Sequence, residues 1–478
     1  MKYFLDPFGC VKNQVDAENM MAHLNNAGWE AVSGSEQADL IIVNSCGFIE
    51  SAKQESINAV LEWRKTYPGK KILLAGCLSQ RYAKDLPEIL PEADGFMGVE
   101  DITQIVEKIN GIFQKDLSQR REGTKNAKEK KSFNLLTGER PLLSLPGSAY
   151  VKISEGCSNN CSYCAIPLIR GSLVCRPIPE IVDECQTLLT RGIKELCIIG
   201  QDIGAYNPEE FTQRTAGSNG TGTENTEKES ANRLPELLQA VSELEGDFWV
   251  RLLYIHPDHF PLQILDLMER DSRFLPYFDI PFQHASPKIL AAMNRKGTDS
   301  DNPASRYLKL IQTIRARLPH AVLRSTFLLG FPGETEEDFT MLLDFQQKAK
   351  LDWVGCFVYS REEGTASYSM KGRVPAKTAE ARKKIIEERQ IPITEKNMDR
   401  FVGQTLSVLV EEKMEAAAGS NEETIWLGRL YCQAPDIDGS AVIIGGDNSK
   451  KTDENPKLGA LVSCEVIARR SFDLEVQV

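Results

Sequence analysis

Three cysteines stand close together in the stretch CSNNCSYC, where Cys157, Cys161 and Cys164 follow the spacing CxxxCxxC. Thiolates are the ligands of structural zinc and of iron–sulfur clusters, and a fully enclosed group of either kind takes four of them. This motif is one ligand short. Four-cysteine zinc ribbons pair two CxxC units, and none lies outside this stretch. Three cysteines on three irons of a 4Fe–4S cube leave the fourth iron open to an exogenous ligand. A second set is more dispersed. Cys10, Cys46 and Cys77 each come just after a short apolar run, so a parallel sheet would bring all three to one edge, where open α/β folds bind their ligands.

The surrounding elements supply such a sheet. In residues 1–112 the runs DLIIVNSC and KKILLAGC alternate with helical patterns such as ESAKQESINAVLEWRK, which predicts a parallel sheet with helices on its faces. Residues 113–145 are polar and rich in Lys and Arg and read as a solvated linker. Between 146 and 378 six strand-like runs (YVKIS, ELCIIG, FWVRLLY, PYFDIP, LRSTFLLG and DWVGCFVY) are separated by helices. Six βα units predict a partial (β/α)6 barrel with its site at the carboxyl ends of the strands, and CSNNCSYC follows the first of them. The segment 208–232 reads as a flexible surface loop. Residues 379–400 form a charged connecting helix. From 401 to 478 the runs QTLSVLVEE, TIWLGRLY, SAVIIGG and LVSCEVIAR predict a small antiparallel, OB-like β-barrel of about five strands. The fold class is therefore α/β with a β-barrel tail.

Composition bounds the function. The 478 residues are 41% hydrophobic and 26% charged, as in soluble proteins with several cores. No membrane-spanning run or secretory leader is visible, so a cytoplasmic location is expected, and twelve cysteines in a reducing compartment favour metal or redox chemistry over disulfides. The net charge is −12, and residues 401–478 carry thirteen acidic and seven basic side chains. A barrel that holds nucleic acid needs cations for the phosphates. The charge argues for nucleic acid only as an indirect partner.

With these residues in view, the chain resembles the radical S-adenosylmethionine (SAM) superfamily, where CxxxCxxC follows the first strand of a six-unit barrel. GCVKNQVDAE, VNSCGFIESAKQES and LLAGCLSQR resemble the signature segments of its methylthiotransferases. The resemblance implies an N-terminal methylthiotransferase domain, a radical SAM core and a C-terminal TRAM barrel. It implies two 4Fe–4S clusters, one on Cys157, Cys161 and Cys164 and a second on Cys10, Cys46 and Cys77. SAM then completes the first cluster and is cleaved to a 5′-deoxyadenosyl radical, while a second SAM supplies the methyl group. SAM contacts are implied at Tyr163, at Gly200, Gln201 and Asp202, and at Ser325, Leu329 and Gly330. The segment around Gly330 has no GK[ST] and is no phosphate loop, and Thr335 with Asp338 forms a capping box. His284, alone among the five histidines, falls at a strand's carboxyl end, lining the substrate cavity or serving as a structural histidine. One departure is Cys175, where the pattern has serine. The remaining cysteines Cys185, Cys197, Cys356, Cys432 and Cys464 read as core or surface thiols, as does Cys175 itself.

Two acceptors compete within this family. One branch modifies isopentenyladenosine in transfer RNA; the other places the methylthio group on the β-carbon of an aspartate in ribosomal protein uS12. GQDIGAYN, LPYFDIPFQHASPKIL and APDIDG resemble the second branch, and an acidic barrel suits a strongly basic ribosomal protein. The resemblance also implies a reductant such as flavodoxin or ferredoxin. Hydrogen abstraction by a radical needs no general base, in keeping with the lack of a Ser/His/Asp or paired-carboxylate pattern. A non-catalytic scaffold would instead leave SAM uncleaved under reduction.

Overall fold

In the computed structural model, residues 1–114, 139–208, 232–295, 302–414, 425–444 and 456–478 are described. Most of the segment read as a linker, and nearly all of the 208–232 loop, lie outside them. The chain divides into two compact units. One comprises Met1–Leu143, Glu155–Arg176 and Ser360–Tyr368; the other comprises Ser144–Ser154, Pro177–Tyr359 and Ser369–Val478. Among the described residues no helix is long and apolar enough to cross a membrane.

The first unit is built on a five-stranded sheet of β1 (Lys2–Pro7), β2 (Glu30–Ala31), β3 (Leu40–Ser45), β4 (Lys71–Gly76) and β5 (Gly95–Met97), in the order β2-β1-β3-β4-β5. Every pairing is parallel. All six residues of β3 are buried, and five of the six in β4. Strands covered on both faces must read as continuous apolar runs, which is why LIIVNS and KILLAG show no alternation. The helix Val11–Asn26 departs from the amphipathic rule, because Lys12, Asn13, Asp16, Glu18 and Asn19 are among its buried residues. Burying such groups is costly unless they are paired, and they are. Glu18 receives Arg140 Nε at 2.8 Å and the Leu143 N–H at 2.9 Å. Residues 139–143, expected to be solvated, are thus pinned by a buried ion pair. Glu362 likewise ties the segment Ser360–Tyr368 to this unit, through Lys53 at 3.0 Å and Arg81 at 2.6 Å.

The second unit holds six parallel strands: β6 (Ser148–Lys152), β7 (Glu195–Ile199), β8 (Trp249–Leu252), β9 (Phe274–Asp279), β10 (Val322–Leu329) and β11 (Trp353–Val358). They pair in chain order and the sheet stays open, matching the six-unit expectation strand for strand. The long helix Ala376–Met398 leads to a closed barrel of β12 (Thr405–Met414), β13 (Ile425–Leu430), β14 (Ala441–Ile444), β15 (Leu461–Arg470) and β16 (Asp473–Gln477). Four pairings are antiparallel, and β14 with β16 is parallel. The strand β16 is absent from the four runs read in the sequence. In DLEVQ only Leu474 and Val476 are buried, so its apolar signal is two residues long.

The barrel is fixed to the amino-terminal part of the sheet by buried polar groups. Glu195, the first residue of β7 and fully buried, accepts from Arg251 Nε at 2.7 Å, from Ser148 Oγ at 2.9 Å and from Arg429 of β13. Arg429 also pairs with Glu411 of β12 at 2.6 Å. The loop after β13 adds three contacts: Arg251 Nη1 to the Tyr431 carbonyl (2.9 Å), Trp353 Nε1 to the Cys432 carbonyl (2.9 Å) and Tyr277 OH to Asp438 (2.6 Å). The carboxyl ends of the strands are left to the chemistry.

Burial alone would raise the Glu195 pKa, but Arg429 and Arg251 outweigh it and hold it at about 2. A depressed carboxylate contributes stability that is present above the ordinary value near 4.5 and is lost as pH falls toward 2. Glu195→Gln leaves two buried guanidiniums short of a counter-charge and is expected to destabilise this unit by ~3–5 kcal/mol. It should also flatten the pH dependence of unfolding between 4.5 and 2. Urea unfolding at neutral and acid pH measures both, and an unchanged midpoint would refute the lock.

Candidate iron–sulfur and S-adenosylmethionine site

β1, β3 and β4 are adjacent parallel strands, and Cys10, Cys46 and Cys77 follow their carboxyl ends. Each cysteine has a glycine neighbour with a steric reason. Gly76 has φ 96°, and a Cβ there would lie 2.7 Å from the Ser45 carbonyl; a Cβ on Gly47 would meet the Cys77 backbone at 2.7 Å. Asn13 bridges the cysteines: its Oδ1 lies 3.6 Å from Cys10 Sγ and 3.5 Å from Cys77 Sγ, while its Nδ2 donates to the Ser45 carbonyl at 2.8 Å. The two sulfurs are thus no farther apart than the sum of those distances. Burial pushes the Cys77 thiol up to about 11 and the Cys46 thiol up as well, and the Arg170 guanidinium opposes both. Cys10 is exposed, so one side of the set is open. Among the described residues no three His, Cys, Asp or Glu side chains close round a single metal ion. The donor set is three thiols, a partner for soft iron–sulfur chemistry rather than for a hard oxygen-seeking ion.

The CxxxCxxC loop belongs to the same unit. Gly156 opens it at φ 72°, and a Cβ there would sit 2.3 Å from the Ser172 carbonyl. The Cys157 N–H donates to the Gly171 carbonyl at 3.1 Å, and the Cys164 N–H to the Cys161 carbonyl at 3.0 Å. Asn160 takes the left-handed conformation at φ 52°, which asparagine tolerates better than most residues. These bonds tie the two ends of the loop together and turn its middle back. Cys157, Cys161, Cys164 and Tyr163 are all half-buried, as groups that meet a ligand must be. Cys175 is buried, as are Cys185, Cys197, Cys356, Cys432 and Cys464, so the bland reading of those thiols fits their interior positions.

In the second unit, GQD follows β7. Gln201 Oε1 and Ser154 Oγ are buried without hydrogen-bond partners. A Cβ on Gly200 would lie 2.5 Å from Ser154 Oγ, so only glycine allows that approach. A buried acceptor left unsatisfied costs about 1–3 kcal/mol, and a ligand ammonium or N–H would relieve it. The site residues fit SAM in this respect. Asp202 is placed differently from a free ligand contact. Its Oδ1 accepts the Gly204 and His256 N–H groups, each at 3.0 Å, and its Oδ2 lies 2.6 Å from His259 Nδ1. That bond raises the His259 pKa, while burial lowers that of His256 to about 2 and leaves its ring neutral at ordinary pH. His256 and His259 follow β8, so His284 is not alone among the histidines in following a strand. HPDH, four residues after the run WVRL, was the available signal.

The segment around Gly330 is organised by a residue that motif reading passed over. Glu334 accepts the Gly330 N–H at 2.7 Å and the Phe331 N–H at 3.3 Å, and Arg382 holds its other oxygen at 2.7 Å. Gly330 has φ 76°, with Ala379 packed where a side chain would go. Leu329 and Ser325 are buried, and Ser325 Oγ accepts the Phe282 N–H at 3.0 Å. The Thr335–Asp338 capping box is present. His284 is fully buried; its Nδ1 accepts the Ser286 N–H at 2.9 Å, and burial lowers its pKa to about 3. It is a neutral interior imidazole whose Nε2 has no hydrogen-bond partner.

The comparisons follow the same three parts. Residues 2–98 match the uncharacterized protein family UPF0004, residues 151–345 the radical SAM superfamily and residues 402–478 the TRAM domain. The ribosomal protein uS12 methylthiotransferase RimO of Treponema denticola is 46% identical, covering 98% of this chain and 99% of that one. The RimO of Bdellovibrio bacteriovorus is 39% identical over 98% of this chain and 95% of its own, and that of Syntrophomonas wolfei 38% over 98% and 97%. Full-length identity of this order, on a fold with thiols at the strand ends, places the sequence among enzymes that use SAM and a 4Fe–4S cluster: the chain belongs to the RimO family of radical SAM methylthiotransferases.

Proposed function

We propose that this enzyme transfers a methylthio group to the β-carbon of an aspartate in ribosomal protein uS12. The observation that carries this reading is the end-to-end identity with relatives named for that acceptor, barrel included. We assign one 4Fe–4S cluster to Cys157, Cys161 and Cys164 and a second to Cys10, Cys46 and Cys77, supported by the convergence of the latter on three adjacent strand ends. When bound, the first cluster and SAM supply the radical chemistry. The chain binds and orients. Gln201, beside Gly200, would hold the methionine ammonium through its unpartnered Oε1, and Asp202 holds the following turn through His256 and His259. Glu334 fixes the backbone at Gly330, next to Leu329 and Ser325, and these residues would hold the adenosine; Tyr163 is a further candidate contact within the cysteine loop. A flavodoxin or ferredoxin supplies the electron.

The barrel is the proposed contact for uS12. Its acid surplus supports approach of a basic protein. Glu411 is buried against Arg429, itself buried, and the Asp438 carboxylate is covered beside Tyr277. Exposed acids such as Asp436 and Glu465 remain.

With anaerobically reconstituted enzyme, SAM, sulfide and a strong reductant, uS12 and an anticodon-loop RNA are offered in parallel and followed by mass spectrometry. A methylthio mass gain on a uS12 aspartate is expected; a gain on the RNA alone would transfer the enzyme to the other acceptor. Replacing Cys10, Cys46 and Cys77 together by alanine should lower bound iron from roughly eight to roughly four per chain. That variant should still cleave SAM yet transfer no methylthio group; undiminished iron would refute the second cluster. For Gln201→Leu, calorimetry should show SAM binding weakened about tenfold, the loss of one hydrogen bond to a charged group. Unchanged affinity would remove Gln201 from the site.

A further inference from the structure

Arg170 ends the five-residue helix Ile166–Arg170, which begins one residue after Cys164 and its neighbour Ala165. Its guanidinium is 1% exposed on the side chain. Nη1 meets Glu155 at 2.9 Å, while Nη2 faces Asp16 Oδ2 at 2.8 Å, Asn13 Oδ1 at 3.1 Å and Cys77 Sγ at 3.2 Å. Ala165 and Ile169 of the same segment pack against Cys77, with Phe48 and Val99 beside them. The segment that carries one cysteine triad thus touches a cysteine of the other, within one compact unit. An arginine needed only to neutralise Asp16 and Glu155 has no reason to face a sulfur as well.

We propose that Arg170 is the positioning residue that sets the reduction potential of the iron–sulfur cluster on Cys10, Cys46 and Cys77. The inference rests on the proposed second cluster. Hydrogen bonds and positive charge at cluster sulfurs favour the more electron-rich, reduced state, and a charge-assisted bond in a buried site is stronger than one in water. Arg170 therefore raises the potential and eases reduction. Asn13, facing the sulfurs of both Cys10 and Cys77 and the same guanidinium nitrogen, holds it in register.

The test uses the full chain with Cys157, Cys161 and Cys164 replaced by alanine, so that any remaining cluster sits on the other three cysteines. Redox titration followed by electron paramagnetic resonance is run with and without Arg170→Gln. The expected result is unchanged iron content and about a tenfold fall in the reduced-to-oxidised ratio at fixed potential, ~59 mV for a one-electron couple. Asp16→Asn breaks the ion pair but keeps the contact with sulfur; it should lower the melting temperature without lowering the potential. An unchanged potential in Arg170→Gln, or an equal fall in Asp16→Asn, overturns the role of Arg170 while leaving the cluster in place. Failure of the triple-alanine chain to load iron overturns both. If Arg170→Gln does not fold, pulsed resonance on the unsubstituted-Arg170 chain grown with guanidino-¹⁵N arginine decides. A nitrogen coupling to the reduced cluster is expected, and its absence refutes the contact.

Discussion

Glu195 and the two arginines that hold it are the constraint on which the second unit depends. A carboxylate with no solvent exposure survives in ionised form only because Arg251 from the neighbouring strand and Arg429 from the barrel both reach it. Desolvation penalises every partial version of this arrangement, so the barrel has one seat and not a range of them. That seat lies along the amino-terminal part of the sheet, where Trp353 and Tyr277 also engage the loop after β13. Parallel strands present their carboxyl ends on the opposite edge, and that edge is where GQD and the Gly330 segment lie.

The first unit solves a related problem with the same means. Its helix Val11–Asn26 turns Asn13, Asp16 and Glu18 inward, against the usual segregation of polar residues to the outside. Each is engaged by a group remote in sequence: Arg170 for Asn13 and Asp16, Arg140 for Glu18. These polar contacts are what gather Cys10 and Cys77 about one asparagine side chain. Hydrophobic burial makes the sheet; buried polar pairing makes the site.

Asp202 and Glu334 show how a binding segment can be shaped by residues that do not themselves need to meet the ligand. Both carboxylates accept backbone N–H groups of the turns that follow the strands. A turn held in this way offers its remaining backbone and a neighbouring side chain, such as Gln201, in a fixed geometry. The conformational cost of ordering the loop is then met during folding and not at the moment of binding.

Much of this was legible in the residues alone. Continuous apolar runs ending at Cys46 and Cys77, six further runs in series and the CxxxCxxC spacing determine the parallel sheets and the order of the open six-stranded sheet, because period and spacing are local properties of the chain. The glycines beside each cysteine carry the same kind of local signal. Pairings between distant residues are not local, and only the tertiary structure decided them. Arg170 on Cys77, Arg429 on Glu195 and His259 on Asp202 join residues separated by tens to hundreds of positions, and nothing in a charge's immediate neighbours says whether it will be buried. The places of Glu411, Arg429 and Asp438 are of this kind, since composition counts all three as surface charge while the fold turns their side chains inward. The strand β16, with two buried residues in five, likewise becomes visible only when the barrel closes around it.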